Sequence, residues 1–584
     1  TDTAGDIANF SIELEDTDEV WVQIGGESAG FADVIRLEDD DDDDEVSVEI
    51  NTRALGTAAA TDEVYDAGDD IVESEVHGGA GTTGAQFYDE DVDPANTFSA
   101  GASQFQGYLN ELDLIGSNTD PVDSQLARPA QPADYELTAS SDGAFVVNAD
   151  GQSTADNEIG SALLELTAPE IGDINTWVAP SDNADADDEL QAVLDSVTQS
   201  EEVAIDDRAV IQVEATGLYG AVAYENGFDT LEDGSNGQAL NDILTDSSTV
   251  SATGSDWSGE GINFLVEADD ATGNQEAKQL NLDNTDTSEI FVVYDEENGQ
   301  FFVVVDTSVD DPFTRSIEDG DEFTAELEYE TDDENRYEFD TPASGAVQQP
   351  YQGDADGSVT GPATSEDPAY PYFQADSTVS SEAVFSFADR SVTFDNVNNA
   401  GNLEVTNSET ATISGTTNVA PGSNAEIRIA STDATPSFRQ TSSIDINEDG
   451  SFTAEFDLSG QETGDEFDTT LRVAGTSVDT TSSVIVEETG GEAAFTVSEL
   501  DPQDVTATVG DALTVTATVE NTGGEEATQT VEFRVGGDAV ASQDVTLGAG
   551  NSTTVEFADV DTSSLSAGDY EHGVFTDDDS QTAT

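Results

Sequence analysis

Hydrophobic and polar residues alternate with a period of two along most of the chain. The alternation is clearest in Leu513–Val519 and recurs in Ala8–Leu14 and Val46–Ile50. A period of two puts successive side chains on opposite faces of a strand, and turns rich in Gly, Asn and Asp separate the segments at intervals of about 8–12 residues. The pattern predicts a mainly β protein made of tandem antiparallel β-sandwich domains.

Two segments follow the helical period instead. Apolar residues recur at i, i+3, i+4 and i+7 in 190–197, after the acidic run 185–189, which suits a helix N-terminus. Residues 108–115 show a weaker form of the same spacing. We therefore expect one or two short helices that connect sheets.

Two turns are specific enough to interpret. Ile290–Tyr294 and Phe301–Val305, joined through Asn298-Gly299, predict a hairpin with both faces partly covered. Residues 445–450 match the first half of an EF-hand loop, but Phe456 stands where a bidentate Glu is required. For that segment we predict a hairpin turn into the strand 451–456.

Turn residues and prolines divide the chain into four units and a linker, each unit with its own hydrophobic core. The predicted units are 1–180 (with a poorly patterned insertion near 54–135), 181–343 (with a leading helix), 377–490 and 491–584. Residues 344–376 contain four prolines and are predicted to be a linker or an extended crossover.

The charge balance adds a second constraint. The chain has 129 Asp and Glu residues but only 12 Lys and Arg, which gives a formal net charge of -117. Lys278 is its one lysine. Such repulsion opposes folding in dilute buffer, whereas in molar salt the Debye length falls to about 3 Å. The composition indicates a protein adapted to concentrated salt. It excludes nucleic acid and anionic membranes as partners and favours cations.

The chain contains neither Cys nor Met. Disulfides and Cys-ligated metal sites are therefore excluded, and residue 1 is not a translation start. No apolar run approaches the roughly 20 residues that cross a bilayer, so we expect no membrane span within this sequence.

The C-terminal segment carries the most specific pattern. Val509-Gly510-Asp511, the alternating Leu513–Val519, Glu520–Gly524 and Ala567–Tyr570 follow one another at the spacing of a seven-stranded sandwich. This segment resembles the CARDB family of Ig-like adhesion modules. Segments 412–422 and 10–25 resemble Ig-like domains of haloarchaeal surface proteins, so the chain as a whole resembles haloarchaeal S-layer-type cell-surface glycoproteins. The resemblance implies tandem Ig-like domains and an extracellular, cell-surface location.

Compared with complete domains of these families, both ends of the sequence look unfinished. CARDB-like units close with one more alternating strand after the strand that bears Tyr570, and the sequence stops where we expect that strand to begin. Thr1 also lies close to the first predicted strand. Either the sequence is part of a longer protein, which we favour because sheet edges are normally protected, or a neighbour's strand completes an open edge.

The motifs suggestive of catalysis lack the context that catalysis needs. Ser28 lies in a G-x-S-x-G motif, but the next residues predict a strand rather than the helix of a nucleophile elbow. The Gly-rich segment at His77 follows this Ser instead of preceding it. His77 and His572 are the two histidines of the chain, and we expect surface or turn positions for both rather than a shared metal site. We predict no enzyme and no required cofactor.

Two kinds of surface site remain. An acidic run between two predicted strands could bind Ca²⁺ or another divalent cation, although like-charge blocks usually remain solvated hairpin tips; its members are Asp39, Asp40, Asp41, Asp42, Asp43 and Asp44. The sequons at Asn9 and Asn551 are candidate N-glycan acceptors.

We expect a structural protein that assembles with itself into an extracellular layer, with cations and N-glycans as its other partners. One alternative is a filament subunit or adhesin joined by strand addition. Another is a secreted hydrolase with Ig-like accessory domains, whose catalytic domain would have to lie in 181–376 or outside the chain.

Overall fold

The computed structural model describes residues 1–244, 262–329 and 379–584, apart from short gaps. These gaps are 15–16, 41–42, 58, 91–97, 99–103, 124, 127–129, 182, 185–189, 273–274, 433–436, 488–492, 504, 525, 549, 562 and 564. The predicted linker and the acidic run 185–189 lie outside the described residues. The chain forms two compact units, the first comprising 1–392, 416–424 and 445–452 and the second 393–415, 425–444 and 453–584.

The first unit is formed mainly by strands β1 to β22. In chain order they are Asp2–Thr3, Ile7–Glu13, Glu19–Gly26, Phe31–Glu38, Glu45–Asn51, Tyr65–Asp66, Ile71–Ser74, Gln86–Asp89, Asp134–Ser140, Ala144–Val147, Ser153–Ala155, Glu158–Thr167, Ile171–Ala179, Thr198–Gln199, Glu202–Ala204, Arg208–Ala215, Ser235–Asn236, Ile262–Ala268, Ile290–Asp295, Gln300–Asp306, Glu322–Tyr329 and Val379–Ala388. Helices α1 to α6 are Thr61–Val64, Gln104–Glu111, Leu190–Ser196, Tyr219–Asn226, Asp229–Asp233 and Gly237–Asn241.

Two six-stranded sheets dominate this unit, with the orders β1-β12-β9-β3-β4-β7 and β14-β13-β16-β20-β19-β17. Smaller sheets have the orders β2-β5-β6, β11-β10-β8 and β15-β22-β21-β18. Most neighbours are antiparallel, and strands such as β18 and β21 alternate buried and partly exposed residues as a half-buried strand must. The predicted mainly β, sandwich-type fold class is confirmed.

One continuous hydrophobic core runs through the first unit. It includes Ala4 and Ile24 near the N-terminus, Tyr219 and Phe301 in the middle, and Phe387 on β22. The expectation that 1–180 and 181–343 have separate cores is therefore wrong.

A buried carboxylate explains why these two segments share one core. Asp6 is buried, and its two carboxylate oxygens accept hydrogen bonds from the backbone N–H of Gly217 at 2.7 Å and of Tyr219 at 3.0 Å. Beside it, Asn51 donates from Nδ2 to the Gly220 carbonyl at 2.8 Å. A Cβ at Gly220 would lie 2.5 Å from the Gly5 carbonyl oxygen, so the two chain segments approach more closely than any other residue permits.

The predicted helix at 190–197 is helix α3 in the structure. The predicted turn at 108–115 overlaps only the second half of α2, Gln104–Glu111, and the rest of that segment is a turn. The hairpin is also confirmed, because Ile290 pairs with Val305 and Gly299 adopts a positive φ of 64° after a 3₁₀ turn at Glu296–Asn298. Helix α4 was not predicted. Its residues Tyr219 to Ala223 are all buried, so it lacks the polar face that reveals a surface helix in a sequence.

Strands β23 to β37 lie mainly in the second unit. They are Val392–Phe394, Leu403–Thr406, Ala411–Thr417, Ala425–Ser431, Arg439–Ile444, Ser451–Phe456, Glu466–Val473, Thr476–Val486, Phe495–Asp501, Ala512–Asn521, Ala527–Val535, Asp538–Leu547, Ser552–Asp561, His572–Phe575 and Ser580–Ala583. They form sheets of order β23-β25-β28, β24-β30-β29-β26-β27, β31-β32-β35 and β34-β33-β36-β37.

The C-terminal sandwich has its own core, which includes Phe495, Val519 and Phe533. The buried Asn521 fixes the turn in the segment Glu520–Gly524, since its side chain donates to the Leu547 carbonyl at 3.0 Å and accepts from the Gly523 N–H at 3.0 Å. The prediction that no strand follows the Tyr570 region is wrong. Strand β37 pairs antiparallel with β36 in the four-stranded sheet.

The segment 445–450 is a turn, as predicted, but the hairpin interpretation is wrong. Strand β27 pairs with β26 in the five-stranded sheet, whereas β28 belongs to the sheet with β25. The turn therefore carries the chain from one sheet to another. Gly450 has a φ of 76°, and the Asp449 carboxylate accepts from the Ser451 N–H at 3.0 Å, which explains the turn-like sequence.

The Asp6 contact makes the stability of the first unit sensitive to pH. Burial raises the pKa of Asp6 from 3.8 to about 7, against the opposing effect of its backbone donors. Between these two pKa values the folded state holds a proton that the unfolded state releases, so this group's contribution to stability falls as pH rises. Asp6→Asn cannot titrate and offers one acceptor oxygen instead of two.

We expect the free energy of unfolding of the wild type, minus that of Asp6→Asn, to decrease from about pH 4 to about pH 8. The loss of one buried hydrogen bond adds a pH-independent cost of about 1–3 kcal/mol to the variant. Chemical unfolding in molar salt, followed by Trp fluorescence, measures this because all three Trp residues precede β23. The exposed Glu13→Gln is the control, and a difference that grows with pH would contradict the account.

Candidate functional site

The G-x-S-x-G motif lies at the tip of a hairpin. Gly26 at the end of β3 pairs with Phe31 at the start of β4, and Ser28 is exposed between them. A nucleophile elbow requires a strand followed by a helix. As expected from the sequence, Ser28 is followed by a strand and not by a helix. This serine therefore lacks the geometry of a nucleophile elbow.

His77 has a structural environment. Its Nδ1 lies 3.0 Å from the Ala59 carbonyl, and its Nε2 accepts from the Gly56 N–H at 3.3 Å. Burial lowers the pKa of His77 to about 4. The ring is neutral at neutral pH. Both ring nitrogens make hydrogen bonds with backbone groups, so neither is left to act as a catalytic base or a metal ligand.

His572 differs from the sequence-based expectation. It lies on β36, is buried, and its Nε2 is 3.0 Å from the Pro502 carbonyl. The predicted surface or turn position is correct for the turn at His77 and wrong for His572. The alternating pattern of β36 is too short to reveal this burial in the sequence.

The acidic run connects β4 to β5. Asp39 Oδ2 accepts from the Asp44 N–H at 3.0 Å, and Asp43 Oδ1 accepts from the Glu45 N–H at 2.9 Å. The Asp40 N–H donates to Asp70 Oδ1 at 3.0 Å. Two of the described carboxylates of this loop, those of Asp39 and Asp43, therefore accept from backbone donors of the turn.

Asp41 and Asp42 lie outside the described residues. Within the described part of the chain, no three His, Asp or Glu side chains are grouped closely enough to hold a metal ion. Divalent cation binding at 39–44 stays a prediction.

Most of the described cations are used within the chain. Arg36 on β4 lies between carboxylates of neighbouring strands, with Glu19 at 3.1 Å, Glu73 at 2.9 Å and a further contact to Glu38. It neutralises part of a sheet surface on which acidic side chains would otherwise face one another directly across the strands.

Six more cations form ion pairs within the chain. The pairs are Arg208–Asp306, Lys278–Asp321, Arg315–Asp270, Arg390–Asp207, Arg472–Glu426 and Arg534–Glu532. The Asp207 carboxylate also accepts from the Ala420 N–H at 2.8 Å, so Arg390 completes a buried contact of the first unit. Most partners are distant in sequence, which is why the sequence did not reveal these pairs.

The sequon asparagines are accessible. Asn9 is exposed on β2, opposite Glu49 of β5, and Asn551 is exposed in the turn before β35. Their partner hydroxyl residues, Ser11 and Thr553, are exposed as well. Both sites meet the steric requirement for glycan addition, and modification there stays a prediction.

These features define a class: a multidomain β protein for concentrated salt, with an acidic surface and internally paired cations. Among the described helices, none has the length and apolarity needed to cross a membrane. Residues 492–583 match the CARDB family, and residues 1–93 match a family described as a domain of unknown function, DUF7827. The predicted C-terminal CARDB-like domain is confirmed.

The chain is similar to haloarchaeal surface proteins over most of its length. It is 26% identical over 515 residues to Cell surface glycoprotein 1 of Haloarcula hispanica, which covers 86% of this chain and 46% of the relative. It is 28% identical over 489 residues to the Cell surface glycoprotein of Haloferax gibbonsii, which covers 83% and 43% respectively. The resemblance inferred from sequence motifs is confirmed, and the chain spans less than half the length of these relatives.

Solved structures with aligned segments include a bacterial ice-binding adhesin and three Ig domains of titin. The adhesin aligns over 65% of this chain and 90% of its own, with 12% identity and a TM-score of 0.13. The titin segment aligns over 65% and 92%, with 9% identity and a TM-score of 0.16. The fold assignment therefore rests on the strand pairing described above.

We expect Arg36→Gln to lower stability by about 1–2 kcal/mol, because three carboxylates lose a shared partner. The loss should shrink as salt rises, since screening weakens their repulsion. Calorimetry across a salt series measures this. Arg428→Gln is the matched control, because Arg428 makes no ion pair with a described carboxylate; equal losses in both variants would contradict the account.

Proposed function

We propose that the chain is a structural component of the haloarchaeal cell surface that assembles with copies of itself into an extracellular layer. The similarity to cell surface glycoproteins over 86% of the chain carries the structural and cell-surface parts of this proposal. The self-assembly is our inference from the architecture. Stacked β-sheets supply rigid modules, and the acidic surface keeps them hydrated in brine.

The charge distribution limits how copies can meet. Seven described cations are already paired within the chain, so ionic contacts between copies must be few. Contacts therefore depend on uncharged surfaces, on divalent cations that bridge carboxylates, or on the screening that molar salt provides. No catalytic step is part of the proposal.

One observation favours joining by strand addition as a second candidate. Strand β12 pairs with β1 only at Leu166 and Thr167, so its first part is open on that side among the described residues. The uncharged run 159–164 lies there, with Ile159 57% and Leu163 60% exposed. Exposed apolar edges of this kind accept strands from other chains.

We expect electron microscopy of the purified chain to show ordered sheets in molar salt with Ca²⁺. The sheets should disperse into single particles when a chelator is added and the salt is lowered, because both screening and bridging are then lost. Helical fibres would favour strand addition. Single particles under every condition would contradict self-assembly.

The sequons give an independent test of surface exposure. In protein purified from a glycosylating haloarchaeal host, Asn9→Gln and Asn551→Gln should each lower the intact mass by one glycan. Asn424→Gln, an exposed Asn outside any sequon, is the control and should change the mass by the substitution alone. Wild-type protein of unmodified mass would contradict the prediction.

A further inference from the structure

The five-stranded sheet of the second unit has one face that differs from the rest of the chain. On β26, Ile427 and Ile429 are buried, so Arg428 and Ala430 lie on the outer face. Antiparallel pairing puts Thr441 of β27 opposite Arg428 and Arg439 opposite Ala430. On the other side of β26, Thr470 of β29 lies beside Arg428.

We call this surface the Arg–Thr face. Its residues are Arg428, Ala430, Arg439, Thr441, Ser443 and Thr470. Small hydroxyl side chains surround the two arginines, and Thr470 continues the row through a side-chain contact to Thr480 at 3.0 Å. The surface offers hydroxyl donors beside the guanidinium groups.

The two arginines are diagonal neighbours across β26 and β27, a relation that puts side chains about 7–8 Å apart. Neither one makes an ion pair or a side-chain hydrogen bond with a described residue. This sets them apart from the seven described cations that are paired within the chain.

The local charge balance is also unusual. Next to the Arg–Thr face, Arg472 is paired with Glu426 at 2.7 Å, and Asp468 pairs in register with Ala430. On the outer face of β26, β27 and β29, three arginines stand against three carboxylates, those of Glu426, Glu466 and Asp468. This surface is therefore formally neutral, in a chain whose net charge is -117.

The face ends at an open edge. Strand β27 is the last strand of its sheet, and Arg439–Ile444 contains no acidic residue. A partner could approach both the face and this edge without meeting a carboxylate of β27. Acidic residues, which commonly protect such edges, are absent at the place where the arginines lie.

We propose that the Arg–Thr face binds the acidic surface of a second copy of this chain. The choice of a second copy rests on the proposed function, in which copies lie side by side, and on charge complementarity with a chain of 129 acidic residues. Arg binds carboxylates through two parallel hydrogen bonds. These hydrogen-bonded contacts are no longer than the Debye length of about 3 Å in molar salt, so salt weakens them little. The longer-range repulsion between the acidic surfaces of two copies is screened.

The test compares two variants of the full chain with the same change in charge. Arg428→Gln with Arg439→Gln removes both free guanidinium groups, and Thr546→Glu with Thr554→Glu adds two charges at exposed strand positions elsewhere. Association is measured by sedimentation equilibrium in molar salt with Ca²⁺. We expect the Arg variant to associate at least about tenfold more weakly than the wild type, as the loss of charge-assisted contacts implies, and the Thr variant to match the wild type.

Folding and partner identity are checked separately. The Arg variant should unfold at the wild-type temperature, and Arg428→Lys with Arg439→Lys should recover part of the association. Equal association in all variants would overturn this inference and leave the proposed function standing. A wild-type chain that stays monomeric would overturn both. Association lost on removal of glycans, with the Arg variant then equal to the wild type, would assign the face to an anionic glycan and overturn the choice of a second copy.

Discussion

Repulsion among carboxylates is the constraint on which the rest of the structure depends. A net charge of -117 leaves few cations to neutralise acidic groups, and seven of the described ones are paired with carboxylates that the fold brings close. Some buried acids, such as Asp6 and Asp33, are satisfied by neutral donors instead. Asp33 accepts from Ser74 Oγ at 2.6 Å and from Tyr65 OH at 2.9 Å, and burial raises the pKa of Asp33 to about 6.

The same constraint shapes the surface through which the protein meets its surroundings. With an acidic exterior, association between copies needs a place where repulsion is locally absent. The run 159–164 in the open part of β12 is uncharged, and the Arg–Thr face carries unpaired arginines. The two surfaces lie in different units, and each fits a different mode of assembly.

Features that depend on local sequence could be predicted, and features that depend on distant contacts could not. The hairpin at Ile290–Asp295 and Gln300–Asp306 follows from alternation and a turn signal, and helix α3 follows from its apolar spacing. Helix α4 was missed because its first five residues are all buried, so they show no polar face. Strand β37, Ser580–Ala583, has no large apolar residue, so nothing in its sequence marks it as a strand. The shared core depends on Asp6 meeting a segment more than 200 residues away, a contact that no periodicity encodes.

The most direct measurement is the free energy of unfolding of the full chain across a series of NaCl concentrations, with sucrose at matched osmolality as the comparison. The account predicts a steep rise in stability as salt increases to about 1 M, where the Debye length reaches about 3 Å, and no equivalent rise in sucrose. Stability that is flat in salt, or that rises equally in sucrose, would show that charge repulsion is not the controlling constraint.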